Sequence, residues 1–472
     1  MEIRMKITKK TMVLNAVAAA LTAITASVQP AFGAVPADEA AKLKTVLTPF
    51  GAERAGNKDG SIPEWKGCPD LKAPIEKLKS GDRRWDPFES EKPLFTITAA
   101  NAKQYADKLS EGAQALLAKY PDTMRLNVYK THRTHCAPES VYESTFKNAT
   151  TARLVESGPN SGVQAAVGGI AFPIPKNGLE ARWNHNFRWR GTSWEMKLRH
   201  FSMTASGDRV LGTQALQYDQ FEHYRPGVTP EQYEKNGSLS WLFLQLTDAP
   251  SFRAGEGLVL RTRGDYTKDQ TAAWQYLVGQ RRVRRAPNVG WDTPDFVNSG
   301  ANFFDEVFGS AVVSDERFDY KLVGKREMLI PYNNNKIFKL KEDEIYGKEH
   351  HNPDAIRWEL HRVWEVVATV KPGRRHAVPK RVFYIDEDTW GTALFDGWDP
   401  AGNLRRVSVN LAYYLPDMPG VYSGFSDILY VLNGAYSSRN TVFFEPGYQL
   451  KQVPMKPESA FSPEALSGSG IR

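Results

Sequence analysis

The most restrictive feature of this chain is a two-residue alternation of apolar and polar side chains that begins near residue 192. In SWEMKLRHFSM, Trp194, Met196 and Leu198 alternate with charged residues, and RWELHRVWEVVATVK continues the pattern. The stretch KRVFYIDEDTWGTALFDGWDPAGNLRRVSVNLAYYL is typical of three strands joined by the turns EDT and DPAGN. Such short turns join antiparallel neighbours, so we expect a mainly antiparallel sheet of about ten strands.

Several of these predicted strands are longer than the usual five or six residues. Long, twisted antiparallel strands with one apolar face curl into a barrel or half-barrel, and that face then needs a cover. Helical patterns at residues 98–119, 178–189 and 229–236 supply candidate covers. The sequence therefore predicts an α+β fold, mainly antiparallel β, in which helices on the concave side of a curved half-barrel sheet enclose an apolar cavity.

The first residues have the pattern of an export signal rather than of a folded element. Residues 1–10 are basic, residues 12–28 are apolar and small, and AFGA follows with Ala31 at −3 and Gly33 at −1. This order is typical of a signal peptide over residues 1–33 that is cleaved before Ala34, and an uncleaved membrane anchor is the alternative. The basic end has a net charge of +3, which leaves +4 of the chain's +7. So small a balance does not favour nucleic-acid binding.

The rest of the chain divides by composition into three predicted parts. Residues 34–165 are expected to form an N-terminal helical and extended segment that wraps the surface. Residues 166–450 are expected to form the half-barrel, and residues 451–472 a polar C-terminal tail. Cys68 and Cys136 are the two cysteines, and in an oxidising compartment they either pair or stay free.

The segment AWQYLVGQRRVRRAPNV gathers four arginines around one valine. In a strand, Arg281, Val283 and Arg285 would share one face, while Arg282 and Arg284 would share the other, so no single basic face forms. One interpretation is an edge strand whose charges block aggregation. The other is a cationic rim, with Arg282 and Arg285, that attracts an acidic headgroup or an acidic partner surface.

Long stretches between about residues 43 and 415 carry a resemblance to a known family. They are AGNKDGSIPEW, DPFESEKPLFTITAANAKQYADKLS, KYPDTMRLNVY, GGIAFPIPKNGLEARWNHNFRWRG, GQRRVRRAPNV, ELHRVWEVVATVKPGRRHAVPKRVFYIDEDTW and WDPAGNLRRV. They resemble an exported family of unknown function often labelled outer-membrane lipoprotein-sorting proteins, similar in fold to the carriers LolA and LolB. The resemblance implies a half-barrel that holds acyl chains against its concave face, beside an inner-membrane exporter and an outer-membrane partner.

Histidines and an acidic turn are the remaining candidates for chemistry. His132 and His135 of THRTHC point to opposite faces of an extended segment, which disfavours a shared metal. His350 and His351 are expected to be solvated in a loop. The run of Asp386, Glu387 and Asp388 is interpreted as a hairpin turn rather than an acid–base pair.

The motif ARWNHNFRWRG places Trp183, His185 and Arg188 on the helix predicted at residues 178–189, where His185 and Arg188 share a face. They either form a polar group near the cavity mouth or fix the helix against the sheet. The cavity wall itself is expected from one face of two neighbouring strands. That predicted wall consists of Trp358, Leu360, Trp364, Val366, Phe383 and Ile385.

These features together predict a non-enzymatic periplasmic carrier of a Gram-negative bacterium, without catalytic residues, metal or cofactor. Its ligand would be a lipid, a lipidated protein or another hydrophobic molecule, and peripheral contact with a membrane is compatible with this role. A structural adaptor between inner- and outer-membrane complexes is the alternative, and a periplasmic hydrolase is a third. An adaptor would have a filled core and an exposed apolar patch, and a hydrolase would orient a nucleophile or base in the cavity.

Overall fold

The computed structural model describes residues 32–286, 290–309, 315–434, 436–438, 441–442 and 450–469. The signal peptide, or alternatively the membrane anchor, is predicted at residues 1–33. Residues 1–31 of this segment lie outside the described residues. None of the helices in the described part of the chain combines the length and the apolar character that crossing a bilayer requires.

In the described part of the chain, a first sheet has eight strands, six of them, β6 to β11, from the middle of the chain, where each strand pairs with the next in antiparallel fashion. Two short C-terminal strands pair with the outer edge of β6. The strands are β6 (Ser193–Met203), β7 (Arg209–Phe221), β8 (Leu239–Ala249), β9 (Gly257–Arg263), β10 (Ala272–Leu277), β11 (Arg282–Arg285), β19 (Thr441–Val442) and β20 (Leu450–Gln452).

A second sheet of nine strands follows, and β13 lies at its centre between β12 and β14. A single parallel pair joins Val128 of β3 to Trp358 of β13. The strands are β2 (Phe95–Ile97), β3 (Leu126–Val128), β12 (Phe318–Pro331), β13 (Trp358–Val370), β14 (Lys380–Asp386), β15 (Thr392–Trp398), β16 (Leu404–Leu415), β17 (Gly420–Val431) and β18 (Tyr436–Ser438).

The turn DPAGN shows how local sequence sets the pairing of β15 with β16. The Asp399 side chain accepts hydrogen bonds from the backbone N–H groups of Ala401 and Asn403, at 3.0 and 2.9 Å. Gly402 has a φ of +83°, which a residue with a side chain rarely adopts. The three strands predicted at residues 380–415 therefore form as the sequence indicates.

The helices are short and lie on the sheets or at their edges. α3 begins at Ser110, whose hydroxyl accepts from the Ala113 N–H, and packs against β15 and β16. α5 begins at Asn177, packs against β12 and β13, and buries every residue except Leu179. The helices are α1 (Ala37–Ala40), α2 (Ile75–Ser80), α3 (Glu111–Lys119), α4 (Glu139–Thr151), α5 (Gly178–Phe187), α6 (Pro230–Lys235), α7 (Glu342–Ile345) and α8 (Pro463–Ser469).

The prediction of an α+β fold dominated by antiparallel strands that curl into a half-barrel is confirmed. The strands form two sheets, and one apolar core cluster includes residues from both of them. A separate small sheet holds β1 (Phe32–Gly33), β4 (Arg153–Ser157) and β5 (Asn160–Gln164).

Two parts of the predicted organisation differ from the structure. The segment at residues 34–165 does more than wrap the surface, because β2 and β3 belong to the second sheet. Residues 451–472 were expected to form a polar tail, yet Phe461 and Leu466 are buried against the first sheet. Burial of these two apolar side chains outweighs the polar composition around them.

Cys68 and Cys136 form a disulfide bond, with their Cα atoms 5.4 Å apart. The sequence left this pairing open. The bond ties the extended N-terminal segment to the chain just after β3, where Cys136 is fully buried. Close by, the Trp65 indole N–H donates to the carbonyl of His135 at 3.2 Å.

Candidate functional site

The predicted cavity wall lies in the packed core of the second sheet. Trp364 pairs with Ile385 across the strands, and Val366 pairs with Phe383, so these four side chains share one face as predicted. Trp364 stacks on Trp390 with ring centroids 6.1 Å apart. Trp358, Val366, Phe383 and Ile385 are buried, and Leu360 and Trp364 are half-buried. Four of the six side chains are thus covered by protein in the structure, and helix α5 packs against the same strand, β13.

Two cavities in the described residues lie elsewhere. One of about 310 Å³ is lined by residues around α6, including Arg225, Tyr233 and Leu239. Another of about 180 Å³ is lined by Phe88, Tyr129 and Arg357 among others. Neither cavity contains a residue of the predicted wall.

Helix α5 carries the three residues of the predicted mouth, and all three are buried. The Trp183 indole N–H donates to the Ser161 hydroxyl at 2.7 Å. Nδ1 of His185 accepts from the Thr392 N–H at 3.1 Å, and its Nε2 lies 3.2 Å from the Arg188 guanidinium. His185 thus fixes the helix to the second sheet, as one of its two interpretations states.

Arg188 follows the last residue of α5 and reaches the second sheet. Its guanidinium donates to the carbonyl of Ser423 on β17 at 3.2 Å and to the carbonyl of His185. Its Nε has no hydrogen-bond partner, and among the described carboxylates Asp427 acts on it through charge without an ion pair. Arg188 is therefore a buried cation that is bonded only to neutral groups.

Arg190, two residues later, is the functional candidate that sequence reasoning missed. Its guanidinium carbon lies 4.0 Å from the ring centroid of Phe221 and 4.9 Å from that of Trp241, which are cross-strand neighbours on β7 and β8. Arg190 is only 3% exposed, its Nε has no hydrogen-bond partner, and no described residue forms an ion pair with it. Two aromatic faces stabilise the cation without neutralising it.

Local sequence places Arg190 in this position. Gly191 follows it with a φ of +79°, and an added Cβ there would lie 2.8 Å from the Trp194 indole nitrogen. That indole in turn donates to the Arg190 carbonyl at 2.6 Å. The glycine therefore allows the chain to turn tightly from α5 into β6 and directs Arg190 inward.

The pKa values of the two arginines show what their burial costs. Burial, together with the neighbouring Arg190, lowers the pKa of Arg188 well below its ordinary value, and burial also lowers the pKa of Arg190. A guanidinium stays protonated at neutral pH, so the lowered pKa values indicate two cations held at an energetic cost. An anion placed between them would reduce that cost.

Asp219 interacts electrostatically with Arg190 but does not form an ion pair with it. Asp219 accepts from the Gln217 amide at 2.6 Å and from the Trp241 indole at 2.7 Å. Burial raises the pKa of Asp219 to about 6, although both hydrogen bonds and Arg190 lower it. Asp219 therefore orients the Trp241 ring that lies against the Arg190 guanidinium.

Arg282 and Arg285 lie on an exposed sheet edge rather than in a cavity wall. They belong to β11, the edge strand of the first sheet, and both are exposed. Arg281 does not share the strand with Val283 as predicted, since its φ of +49° ends a helical turn before β11 begins. The edge-strand interpretation fits this placement, and the cationic rim stays a prediction.

The two histidine pairs singled out in the sequence, His132 with His135 and His350 with His351, have different surroundings in the structure. His132 stacks on Phe88 and bonds Glu91 at 2.7 Å, whereas His135 accepts from the Val421 N–H, so the two rings do not share a site. His350 and His351 are buried at 6% and 2% exposure, so the expectation of a solvated pair is wrong. Burial lowers the pKa of His351 to about 3 and keeps it neutral.

The acidic run does form the turn between β14 and β15, as interpreted, but its side chains are buried rather than solvated. Asp388 is paired with Arg133 and Glu387 with Lys325.

Two buried polar residues, Arg190 and His361, had only weak signals in the sequence. His361 lies on the polar side of the RWELHRVW alternation, and Arg190 lies in FRWRG directly before a strand.

Comparison with known proteins gives the chain a family. The family model described as "Protein of unknown function (DUF1329)" matches residues 96–467. The uncharacterized protein PA3922 of Pseudomonas aeruginosa is 42% identical over 444 residues, which are 93% of this chain and 95% of that protein.

Three solved structures are similar at low identity. A DUF1329 family protein from Desulfovibrio piger has a TM-score of 0.40 and 13% identity, and the match covers 60% of this chain and 95% of that one. A putative outer membrane lipoprotein-sorting protein domain from Vibrio parahaemolyticus has a TM-score of 0.41 and 12% identity, with 61% and 98% covered. The LolA superfamily protein NE2245 from Nitrosomonas europaea has a TM-score of 0.34 and 8% identity, with 61% and 99% covered. The family match and the extensive identity to the Pseudomonas protein show that this chain belongs to the DUF1329 family.

Proposed function

We propose that this protein is a periplasmic carrier of an amphiphile with an acidic headgroup, such as a fatty acid, in transit to the outer membrane. The observation that carries the proposal is Arg190, a buried cation that lies on two aromatic rings and forms no ion pair with a described residue. Together with Arg188 it offers several N–H donors to a carboxylate or phosphate.

The surroundings of Arg190 suit the apolar part of such a ligand. Phe221 and Trp241 belong to the same core cluster as Phe243 and Leu260, which are cross-strand neighbours on β8 and β9. An acyl chain that lay against these side chains would leave water, which is worth about 0.8 kcal/mol per buried CH₂. The headgroup would supply orientation, because it alone carries charge.

Entry and release would require movement of helix α5. This helix packs on β12 and β13 and places His185 between Arg188 and the Trp390 carbonyl. Displacement of α5 would also uncover the wall predicted from the sequence, including Trp364 and Phe383. Contacts of cargo with that wall, with an inner-membrane exporter and with an outer-membrane protein remain part of this proposal.

The test begins with chain purified from the periplasm, native mass spectrometry, and lipid analysis of any bound molecule. Binding of a fluorescent fatty acid is then compared with binding of its methyl ester. We expect the acid to bind about 10- to 100-fold more tightly, since a hydrogen-bonded charge contributes about 1.5–3 kcal/mol. Arg190→Met, which keeps an apolar side chain of similar reach, should remove this preference.

Arg153→Met is the matched control, because Arg153 is exposed on β4. It should bind the acid as the wild type does. Equal binding of acid and ester by the wild type, or an unchanged preference in Arg190→Met, would contradict the role of the arginine. No lipid adduct and no fatty-acid binding would favour the adaptor, and turnover of an ester would favour the hydrolase.

A further inference from the structure

A second group of buried polar side chains lies on the second sheet and has no part in the proposed carrier function. His361 lies on β13, Asp386 ends β14, and Asp388 lies in the turn that follows. One ligand atom from each side chain lies within 4.8 Å of the others. Their exposures are 1%, 2% and 4%, so water does not screen the cluster.

Two buried polar atoms at this cluster have no hydrogen-bond partner. Asp386 accepts with Oδ2 from the Thr389 N–H at 2.9 Å and from its hydroxyl at 2.6 Å, but Oδ1 has no hydrogen bond. The Tyr332 hydroxyl is also without a partner, and its ring stacks on the His361 ring with centroids 4.0 Å apart. Buried polar groups without a partner are costly, and a bound cation or its water ligand would satisfy both atoms.

The separation of His361 Nδ1 and Asp386 Oδ1 suits a bridging metal ion better than a hydrogen bond. His361 Nδ1 lies 3.9 Å from Asp386 Oδ1, which is too long for a hydrogen bond. Two metal–ligand bonds of about 2.0–2.1 Å span this gap.

A carboxylate behind His361 sets the tautomer that a metal needs. Nε2 of His361 lies 3.2 Å from Oε2 of Glu359 and donates to it, so Nδ1 presents its lone pair toward Asp386. Glu359 is itself held by the Asn333 amide at 3.1 Å and the His132 N–H at 2.8 Å. This carboxylate–histidine arrangement is the usual support for a metal-ligating imidazole.

Asp386 differs from the neighbouring acids Asp388, Glu359 and Glu387, each of which pairs with an arginine or a lysine. Arg133 binds both oxygens of Asp388, at 2.6 and 2.8 Å. Arg357 is paired with Glu359, and Lys325 with Glu387. Among the described residues, no arginine or lysine forms an ion pair with Asp386. A divalent cation would neutralise it.

We propose that His361, Asp386 and Asp388 bind one divalent first-row transition-metal cation, such as Zn²⁺ or Mn²⁺. One imidazole nitrogen and two carboxylate oxygens form a donor set that these ions accept. Water or the Tyr332 hydroxyl would complete the coordination. Because the site is buried, the metal ties β13 to the turn after β14 and stabilises the fold.

The test uses the full exported chain, first stripped with EDTA and then titrated with Zn²⁺ and with Mn²⁺ by calorimetry. One equivalent of one of the two ions should bind and raise the thermal midpoint. Asp386→Asn and His361→Gln should each weaken binding by more than about 100-fold. Asp319→Asn, which removes an exposed acid on β12, should bind as the wild type does.

X-ray absorption of the loaded wild type keeps the test decisive if a variant fails to fold. A first shell with one imidazole nitrogen and carboxylate oxygens would support the site. Two or more imidazoles, or a sulfur, would place the metal elsewhere and overturn the inference. Absence of binding of either ion, with a thermal midpoint that EDTA and metal leave unchanged, would overturn it as well.

Discussion

At the scale of single residues, buried charges in this protein fall into two kinds. Arg133 is paired with both oxygens of Asp388, so its burial is compensated locally. Arg190 lies on Phe221 and Trp241 and forms no ion pair with a described residue. A paired buried charge contributes little net stability, and an unpaired one is costly. The unpaired cation is therefore the stronger indication of a ligand.

Asp396 gives a prediction about pH at the same scale. Its carboxylate accepts from the Gly112 N–H at 2.9 Å, and burial raises its pKa to about 7. The folded state therefore holds a proton that the unfolded state has already lost, so this contribution to stability falls as pH rises through 7. Between pH 5 and pH 8 the wild type should lose about 2–3 kcal/mol through this group.

Urea unfolding of Asp396→Asn at pH 5 and at pH 8 measures this contribution. The variant should gain stability relative to the wild type as the pH is raised. Asp399→Asn is the control, because hydrogen bonds from Arg405 and the turn lower the pKa of Asp399 to about 2. Asp399 is ionised in both states across this range, so its removal should not change the slope. An unchanged slope in Asp396→Asn would contradict the prediction.

At the scale of elements, the two-residue period identifies the strands but not what covers them. β13 was predicted with one apolar face and one polar face, and the structure buries Glu359 and His361 of the polar face along with Trp358. β12, β14 and the segment after β3 pack around this central strand. A central strand can bury polar side chains where neighbouring elements supply their partners.

The C-terminal helix α8 allows a test of how an element contributes to stability. Phe461, just before it, is 1% exposed and packs with Leu466 on the first sheet. Phe461→Ala should lower the free energy of unfolding by about 3–5 kcal/mol, because it leaves a cavity under the helix. Chemical unfolding checks this value.

Phe252→Ala is the matched control, because Phe252 is 80% exposed. Its removal should change the free energy of unfolding by less than about 0.5 kcal/mol. Similar losses in the two variants would show that residues 450–469 do not pack on the sheet as described.

At the scale of the whole molecule, two sheets share one apolar core, and the N-terminal segment is bound to them by covalent and ionic contacts. The disulfide between Cys68 and Cys136 closes a loop with a sequence separation of 68 residues. Arg83 in the same segment is buried and pairs with Asp417 at 2.9 Å. This segment is therefore part of the folded unit rather than a loose wrapping.

Replacing both cysteines by serine should destabilise the chain by about 4 kcal/mol, since the closed loop restricts the unfolded state. Unfolding curves of the wild type with and without a reductant, and of the double variant, check this. Reductant should lower the stability of the wild type and leave the double variant unchanged. Equal stability of oxidised and reduced wild type would contradict the contribution of the bond.

The sequence by itself determined much of the strand pattern and its pairing. Alternation placed Trp364, Val366, Phe383 and Ile385 on one face, and DPAGN specified a hairpin turn, because both depend on residues close together in the chain. The family resemblance was likewise readable from linear motifs. These properties follow from local geometry and need no knowledge of distant contacts.

Only the tertiary structure decided which charges are buried and what faces them. Arg190 and Arg282 both lie near strands in basic stretches, yet one is enclosed by aromatic rings and the other lies on an exposed edge. His361 meets Asp386 because β13 pairs with β14, although 25 residues of sequence separate them. Burial and counter-charge depend on packing between distant elements, and this packing sets both proposed sites.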